Sequence, residues 1–246
     1  MRKTKFADGE YYHIYNRGVD KREVFCEEKD YLRFLANLRL FNNNSKREER
    51  NFILKKRLEQ ESEQNTELSS EASELSSVFC SDSASLFLNK EIIFFLESMP
   101  KLVEIICYCL NPNHYHFILK QLTESGVSKF LHKLDLGYTN YFNVKNSRSG
   151  SLFQGTFQAV HIDTNEYLLW LSGYINGNAE IHKVAKAENY KWCSYPDYLG
   201  KRRGTLCNNK EMILSQFQNL EKYQEFVNMA IEKSRERKDL GKYLIE

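Results

Sequence analysis

The 246-residue chain lacks the features that mark several specialised protein classes. Its 3 Pro and 11 Gly are too few for a collagen-like or proline-rich chain, and no heptad repeat persists as in a coiled coil. No apolar run approaches the roughly 18 residues that a membrane-spanning helix requires. The first ten residues carry charge but not the apolar core of a secretory signal. We therefore expect one globular domain in the cytoplasm, with no membrane partner.

The six cysteines fit neither a disulfide framework nor a zinc ribbon. Cys107 and Cys109 are separated by one residue, and no second pair completes a zinc-binding set. Buried or idle thiols of a cytosolic protein explain them better.

The chain has little net charge, +2, but this value averages two unlike regions. Residues 57–100 contain nine acidic and two basic residues, a net charge of −7, so the remainder carries +9. A basic body suits a polyanionic partner. From charge alone, however, an ordinary solvated surface is the better explanation.

Aromatic and apolar residues are plentiful, and their spacing predicts strands mixed with helices. The absence of a Gly-rich βαβ turn favours an α+β fold with an antiparallel sheet. Asp163 is predicted to cap a helix, with Glu166 as its capping-box partner. The predicted elements are a strand over 9–17, a helix over 27–40, two strands within 102–120, a helix over 125–146, a strand over 151–162 and a largely helical stretch over 209–233, with 190–200 as loop.

The chain divides into three parts by composition. Residues 1–42 and 101–200 are expected to form the folded domain. Residues 43–100, rich in Ser and Glu, are too poor in apolar side chains to bury a core and are expected to be a partly disordered insertion. Residues 201–246 are expected to form a C-terminal helical extension.

His114 and His116 are the first candidate site. They follow the turn signal Asn111-Pro112-Asn113 and are two residues apart in a predicted strand, so both face the same side of the sheet. Paired imidazoles form half of a metal site. An isolated pair is more often structural, but this one lies directly after a turn and within buried-strand sequence.

The segment EYLLWLSGYINGNAEIH is the second candidate. Tyr174 and Asn178 are four residues apart and therefore neighbours on a helix surface. Gly173 and Gly177 beside them each cost about 1 kcal/mol relative to Ala in a helix, which indicates close approach by another backbone or a deliberately loose helix. The alternative is that Tyr174 is a half-buried core residue and Asn178 ends the helix.

Residues 137–158 interleave aromatic and basic side chains. Basic residues bind phosphates and aromatic rings stack on unpaired bases, which is typical of single-stranded nucleic-acid binding. An amphipathic helix followed by a polar loop explains the pattern equally well. The candidate contacts here are Tyr141, Asn143, Lys145, Arg148 and Gln154.

Together these segments resemble the single-tyrosine HUH transposases, specifically the REP-associated tyrosine transposases. The blocks that carry the resemblance follow one order: YYHIYNRGVDKREVF, DYLRFL, CLNPNHYHFIL, GYTNYFNVKNSRSGSLFQGTF, YLLWLSGYINGN and KWCSYPDYLG. They cover most of residues 10–200 outside 43–100. Thr156, where the family typically has Arg, and Ala179, where it has Pro, depart from the family pattern. The change at Thr156 puts one phosphate or DNA contact in doubt.

The resemblance implies a ferredoxin-like or RRM-like antiparallel sheet with helices on one face. It also implies Tyr174 as a nucleophile that forms a 5′-phosphotyrosine, with His114, His116 and Asn178 binding Mg²⁺ or Mn²⁺. The implied substrate is single-stranded, hairpin-forming DNA, which Arg17 and Arg22 are also candidates to contact. Active sites in the family lie within one chain or are shared between two, so a homodimer is one of two assemblies that it allows.

Two other functions stay open. One is a catalytically inactive nucleic-acid-binding protein that keeps the basic aromatic surface. The other is a metal-dependent hydrolase in which the histidine pair activates water. The binding protein is the stronger alternative of the two.

Overall fold

An antiparallel sheet forms the centre of the protein. The computed structural model describes residues 4–44, 96 and 98–239. Within this part of the chain the sheet has four strands in the order β2-β3-β1-β4, and each neighbouring pair is antiparallel. The strands are β1 (Tyr11–Arg17), β2 (Val103–Asn111), β3 (His114–Gln121) and β4 (Gln158–Ile162).

In the part of the chain that the structure describes, helices lie between these strands. Helix α1 (Glu28–Phe41) lies between β1 and β2 in the chain, and α2 (Gly126–Lys145) lies between β3 and β4. The succession β-α-β-β-α-β is that of a ferredoxin-like fold. The predicted α+β class with an antiparallel sheet is therefore confirmed. The predicted acidic insertion over 43–100 lies almost wholly outside the described residues.

Further helices follow β4. The predicted helical stretch over 209–233 is confirmed, whereas residues 190–200, expected to be loop, contain a helical turn. These helices are α3 (Asn165–Asn176), α4 (Asn178–Ile181), α5 (Tyr195–Tyr198), α6 (Glu211–Leu214) and α7 (Leu220–Asp239). No helix in the described ranges has the length and apolar content needed to cross a bilayer.

Alternate residues of β3 contact helices on opposite faces of the sheet, because side chains alternate along a strand. On one face, Tyr115 lies 5.5 Å from the Phe34 ring of α1 and donates a 2.8 Å hydrogen bond to Asp135 of α2. On the other face, His116 contacts Tyr174 of α3. Helices α1 and α2 thus pack on one face as expected, and α3 adds a layer on the other.

The predicted cap of α3 is wrong by one residue. The helix begins at Asn165, and Thr164 is its N-cap, with extended backbone and a side-chain oxygen that accepts a 3.2 Å hydrogen bond from Tyr167 N. Asp163 therefore precedes the cap, and Glu166 is not placed three residues beyond it. Asp and Thr are both good N-cap residues, so their order in the sequence did not identify the cap.

The strand predicted over 151–162 is shorter than expected. Only Gln158–Ile162 pairs as β4, while Phe153 makes an isolated bridge to Gly18. Gly155 has φ +70°, a left-handed conformation that interrupts an extended strand. The alternation of side chains before Gly155 therefore belongs to a bent segment.

Gly173 in α3 and Gly177 at its C-terminal end are closely approached, but not by another backbone as predicted. A Cβ at Gly173 would lie 3.0 Å from Phe226 and 3.2 Å from Ala230, and one at Gly177 would lie 2.5 Å from Ile231. The approaching groups are side chains of α7 rather than another backbone. Helix α3 therefore lies between the sheet and α7.

The described cysteines are free thiols, as predicted. Cys107, Cys109, Cys193 and Cys207 are buried, and Cys26 is exposed.

Candidate active site

The β2–β3 hairpin presents the predicted histidine pair on one face of the sheet. Strand β2 ends at Asn111 and β3 begins at His114, so Pro112 and Asn113 form the turn. His114 and His116 project from the face opposite α1 and α2. Their ring centroids are 5.2 Å apart, with the ring planes at 86°. The two imidazoles are thus neighbours, as the sequence predicts.

Helix α3 carries Tyr174 to the same face of the sheet. The half-buried Tyr174 ring meets the His116 ring edge-on, with 5.7 Å between the centroids. The helix follows β4 after only two residues, so its start is tied to the edge strand, and α7 packs against its glycines. These connections hold the phenol beside the histidine pair.

Asn178 follows Gly177, at the junction where α3 ends and α4 begins. Its buried side-chain oxygen Oδ1 lies 3.3 Å from His114 Nε2. The predicted nucleophile, Tyr174, and the three predicted metal ligands, His114, His116 and Asn178, therefore meet within a single chain. A second subunit is not needed to bring these groups together.

A second asparagine, which the sequence analysis did not identify, lies between two of these groups. The side chain of Asn111 is fully buried, and its Nδ2 is 3.0 Å from His114 Nε2 and donates to Asn178 Oδ1 at 2.5 Å. The buried Nδ2 of Asn178 has no hydrogen-bond partner among the described residues. The one signal for Asn111 is its position opposite His114 across the predicted turn.

Two further histidines extend the cluster. His13 Nε2 lies 3.0 Å from His116 Nδ1, and their rings stack at 5.2 Å. The ring of His182 lies 4.6 Å from that of His114. His13 reaches the site because β1 pairs with β3, and the sequence does not reveal which strands pair.

The buried histidines of the cluster are neutral at pH 7. Burial lowers the pKa of His13 from 6.5 to about 3. The pKa of His116 lies well below 6.5, first because of burial and then because His114, His13 and His182 surround it. When His116 Nδ1 donates to His13, its Nε2 keeps a free electron pair. A partner on one ring nitrogen orients the other for metal binding in this way.

A cavity of about 530 Å³ opens beside these groups. Tyr174 and the histidine pair line one part of it, and Arg17, Lys21 and Gln154 line another. Arg17 Nε donates a 2.6 Å hydrogen bond to Gln154 Oε1. Two of the predicted DNA contacts, Arg17 and Gln154, therefore lie at the site. Lys21 adds a positively charged side chain that the sequence did not identify.

Tyr15 gives the cavity a second phenol. Its half-buried ring stacks on His116 with centroids 5.7 Å apart and lies 5.0 Å from His13. Burial raises the pKa of Tyr15, with a further contribution from Tyr167. Tyr15 thus lies flat against the imidazole that Tyr174 meets edge-on.

Two other predicted DNA contacts are engaged in a network around a buried carboxylate. Tyr141 donates a 3.0 Å hydrogen bond to Asp30 Oδ1, and Lys145 Nζ lies 2.6 Å from the same oxygen and 2.7 Å from Glu27. The Asp30 side chain is fully buried. Tyr141 and Lys145 therefore stabilise the junction of α1 and α2.

The remaining predicted contacts also make intramolecular hydrogen bonds. Arg148 donates to Asn143 Oδ1 at 2.7 Å and to the Ser151 carbonyl at 2.9 Å, while Asn143 donates to the Gly150 carbonyl. Arg22 donates to a backbone carbonyl three residues earlier. These side chains order the loop after α2 and the turn after β1.

The donor set at the histidine pair fits a divalent cation. No three His, Cys, Asp or Glu side chains in the described segments are grouped to bind a metal, so a site here depends on amide oxygen. Amide oxygen is a ligand of hard cations such as Mg²⁺ and Mn²⁺, and imidazole nitrogen is a common ligand of first-row transition metals. His114 Nε2 and Asn178 Oδ1 lie 3.3 Å apart. The Asn178 amide thus directs its oxygen toward the imidazole, while its buried Nδ2 has no hydrogen-bond partner among the described residues.

Comparison with known proteins gives one structural likeness. No protein-family model matches the chain, and no curated protein matches it. Among solved structures, the chain is similar to the REP-associated tyrosine transposase bound to a REP hairpin, with a TM-score of 0.45 and 10% sequence identity. The match covers 82% of this chain and 86% of that chain. A likeness at this level carries no weight for function.

Proposed function

We propose that the protein cleaves and rejoins single-stranded DNA by metal-assisted transesterification, with Tyr174 as the nucleophile. The observation that carries this proposal is the meeting of a phenol and two imidazoles at one cavity, with the buried amide of Asn178 beside His114. Tyr174 is 5.7 Å from His116 between ring centroids, and Asn178 Oδ1 is 3.3 Å from His114 Nε2.

His114, His116 and Asn178 are the residues that would hold Mg²⁺ or Mn²⁺. When bound, the ion polarises the scissile phosphate and stabilises charge on the leaving oxygen. The three side chains are neutral ligands, so they leave the charge of the ion available to the phosphate. A free phenol has a pKa of about 10 and is a weak nucleophile at neutral pH, which is why the chemistry needs such help.

The proposed step exchanges one phosphodiester for another. The oxygen of Tyr174 forms a bond to phosphorus, and the bond from phosphorus to the 3′ oxygen breaks. The phenol releases one proton and the departing 3′ oxygen takes one up. The products are a 5′-phosphotyrosine and a free 3′ hydroxyl, and attack by a 3′ hydroxyl on the phosphotyrosine reverses the step.

The cavity supports an unpaired nucleic-acid substrate. Its volume of about 530 Å³ suits a nucleotide rather than a duplex about 20 Å wide. Arg17 and Lys21 can bind backbone phosphates, and the half-buried ring of Tyr15 offers a surface for a base. The sequence resemblance adds hairpin-forming DNA as the expected substrate.

The test is covalent capture. The full chain would be incubated with Mn²⁺ or Mg²⁺ and an internally labelled pool of single-stranded hairpins with randomised flanks, then run on a denaturing gel. Wild type and Tyr15→Phe should form a protein–DNA adduct that EDTA prevents. Tyr174→Phe should form none, because it lacks the proposed nucleophile. Tyr15→Phe is the matched control, since it removes the other phenol that lines the same cavity.

Each other outcome supports a different function. An adduct that survives Tyr174→Phe and is lost in Tyr15→Phe would assign the nucleophile to Tyr15. Cleavage without an adduct, unaffected by loss of Tyr174, would indicate a hydrolase. DNA binding that tolerates EDTA, with no cleaved product in wild type, would indicate an inactive binding protein.

A further inference from the structure

Asn111 lies beside His114 and Asn178, two of the proposed cation ligands. It is the last residue of β2 and pairs across the hairpin with His114, the first residue of β3. Cross-strand partners project on the same face of the sheet. Its fully buried amide therefore points along the face that carries the histidine pair, toward Asn178.

The three polar atoms at this point form a compact triangle. His114 Nε2 is 3.3 Å from Asn178 Oδ1 and 3.0 Å from Asn111 Nδ2, and Asn111 Nδ2 is 2.5 Å from Asn178 Oδ1. Adjacent ligand atoms in an octahedral site with bonds of about 2.1 Å lie about 3.0 Å apart. Two of the three separations are close to that spacing and the third is shorter, so the triangle approximates one face of an octahedron.

The end of the Asn111 amide that completes this triangle is its nitrogen, which is not a metal ligand. A half-turn of the amide would put Oδ1 in its place. The half-turn breaks the Nδ2 contacts with His114 Nε2 and Asn178 Oδ1, while Oδ1 loses only a 4.0 Å contact with the Cys109 thiol. Two amide oxygens would then face each other, and a cation bound between them would offset the lost contacts.

We infer that Asn111 is a further oxygen ligand of the divalent cation, which binds when its amide turns to place Oδ1 beside Asn178 Oδ1 and His114 Nε2. This inference rests on the proposed function, since it concerns the same cation. The orientation of buried Asn178 agrees with it, because the amide keeps its oxygen in the triangle although its Nδ2 then has no hydrogen-bond partner among the described residues.

With Asn111, the protein would supply four neutral ligands, two imidazole nitrogens and two amide oxygens. An octahedral ion would keep two positions for the substrate phosphate and water, together with its full double charge. In the sequence, only its position opposite His114 across the predicted turn distinguishes this asparagine.

The test is Mn²⁺ affinity of the full chain without DNA, measured by electron paramagnetic resonance of free Mn²⁺ and by calorimetry. Asn111→Leu removes the oxygen at similar size and should weaken binding at least tenfold, the scale of effects on metal sites. Asn111→Asp should bind as tightly as wild type or more tightly, because a carboxylate is a stronger oxygen ligand. Asn143→Leu, which removes an amide that bonds Arg148, should leave the affinity unchanged.

The variants separate the possible results. If Asn111 only fills space with its NH₂ group, Asn111→Leu will bind Mn²⁺ as well as wild type or better, and the inference is overturned while the proposed function stands. His116→Ala is the control for the cation site itself. If wild type and His116→Ala bind Mn²⁺ equally, both the inference and the proposed metal-assisted reaction are overturned. Asn111→Asp keeps the test decisive if the leucine variant does not fold.

Discussion

Replacing Gly177 with Ala should destabilise the protein through a contact with α7. A Cβ at this position would lie 2.5 Å from Ile231 Cγ1 and 3.1 Å from its Cδ1, well inside van der Waals contact. Ile231 is only 3% exposed and cannot turn out into solvent. Either α7 or the α3–α4 junction must therefore move.

The size of the effect follows from two opposing contributions. Overpacking a buried site costs about 1–3 kcal/mol, and Ala in place of Gly in a helix returns up to about 1 kcal/mol. We expect a net loss of about 1–2 kcal/mol in the free energy of unfolding. Gly173→Ala is the matched control on the same helix. Its Cβ would meet Phe226, a half-buried ring that can yield, at 3.0 Å and the buried Ala230 at 3.2 Å. These contacts are longer than the 2.5 Å approach at Gly177, so Gly173→Ala should cost less than Gly177→Ala, by about 1 kcal/mol.

The assay is urea unfolding of the single variants and of Gly177→Ala combined with Ile231→Ala. Ile231→Ala alone should cost about 2–5 kcal/mol by leaving a cavity. In that background Gly177→Ala should cost nothing, which gives a coupling energy of at least about 1 kcal/mol. The reasoning is refuted if Gly177→Ala is as stable as Gly173→Ala, or if its cost persists after Ile231 is truncated.

Three further substitutions have separable outcomes. Burial raises the pKa of Asp135 from 3.8 to about 7, so the folded protein holds a proton that the unfolded chain releases. The free energy of unfolding should fall as pH rises from about 4 to 7, by at most about 4 kcal/mol. In urea unfolding at several pH values, Asp135→Asn should flatten this dependence. If the variant keeps the wild-type pH dependence, the raised pKa does not belong to Asp135. Lys145→Met should lower the free energy of unfolding by about 1–3 kcal/mol, because buried Asp30 loses its cation, and should leave DNA affinity unchanged. Arg17→Met should weaken single-stranded DNA binding in fluorescence anisotropy and reduce the slope of log affinity against log salt by about 1. Its free energy of unfolding should stay within about 0.5 kcal/mol of wild type. If Lys145→Met weakens DNA binding and Arg17→Met does not, the DNA surface lies at Lys145.

The parts of the site that depend on local pattern could be predicted from the sequence. A turn signal followed by alternating residues places His114 and His116 on one face of a strand, whatever the rest of the sheet does. Helical spacing predicts Tyr174 and Asn178 as neighbours on one helix, but α3 ends at Asn176 and Asn178 begins α4. The structure therefore reproduces the two-residue spacing of the histidines. Tyr174 is half-buried against the core and Asn178 lies beyond the end of α3, as the alternative interpretation of this segment predicted.

The parts that depend on distant pairing could not be predicted. His13 belongs to the cluster only because β1 lies beside β3, more than 100 residues away in the chain. Tyr141 and Lys145 have the composition of a DNA surface, yet the buried carboxylate of Asp30 on α1 engages both of them. A basic or aromatic side chain is recognisable in a sequence, but whether a buried acid already binds it is decided by packing.

Helix α7 contributes to the geometry of the candidate site because it packs against the C-terminal end of α3. Tyr174 and Asn178 lie at the end of α3 and just beyond it, and the residue between these elements, Gly177, is pressed against Ile231 of α7. Leu168, Leu171 and Ile175 of α3 are buried in the core, and α7 packs on its glycines. We therefore expect variants that displace α7 to shift Tyr174 relative to His116 as well as to lower stability.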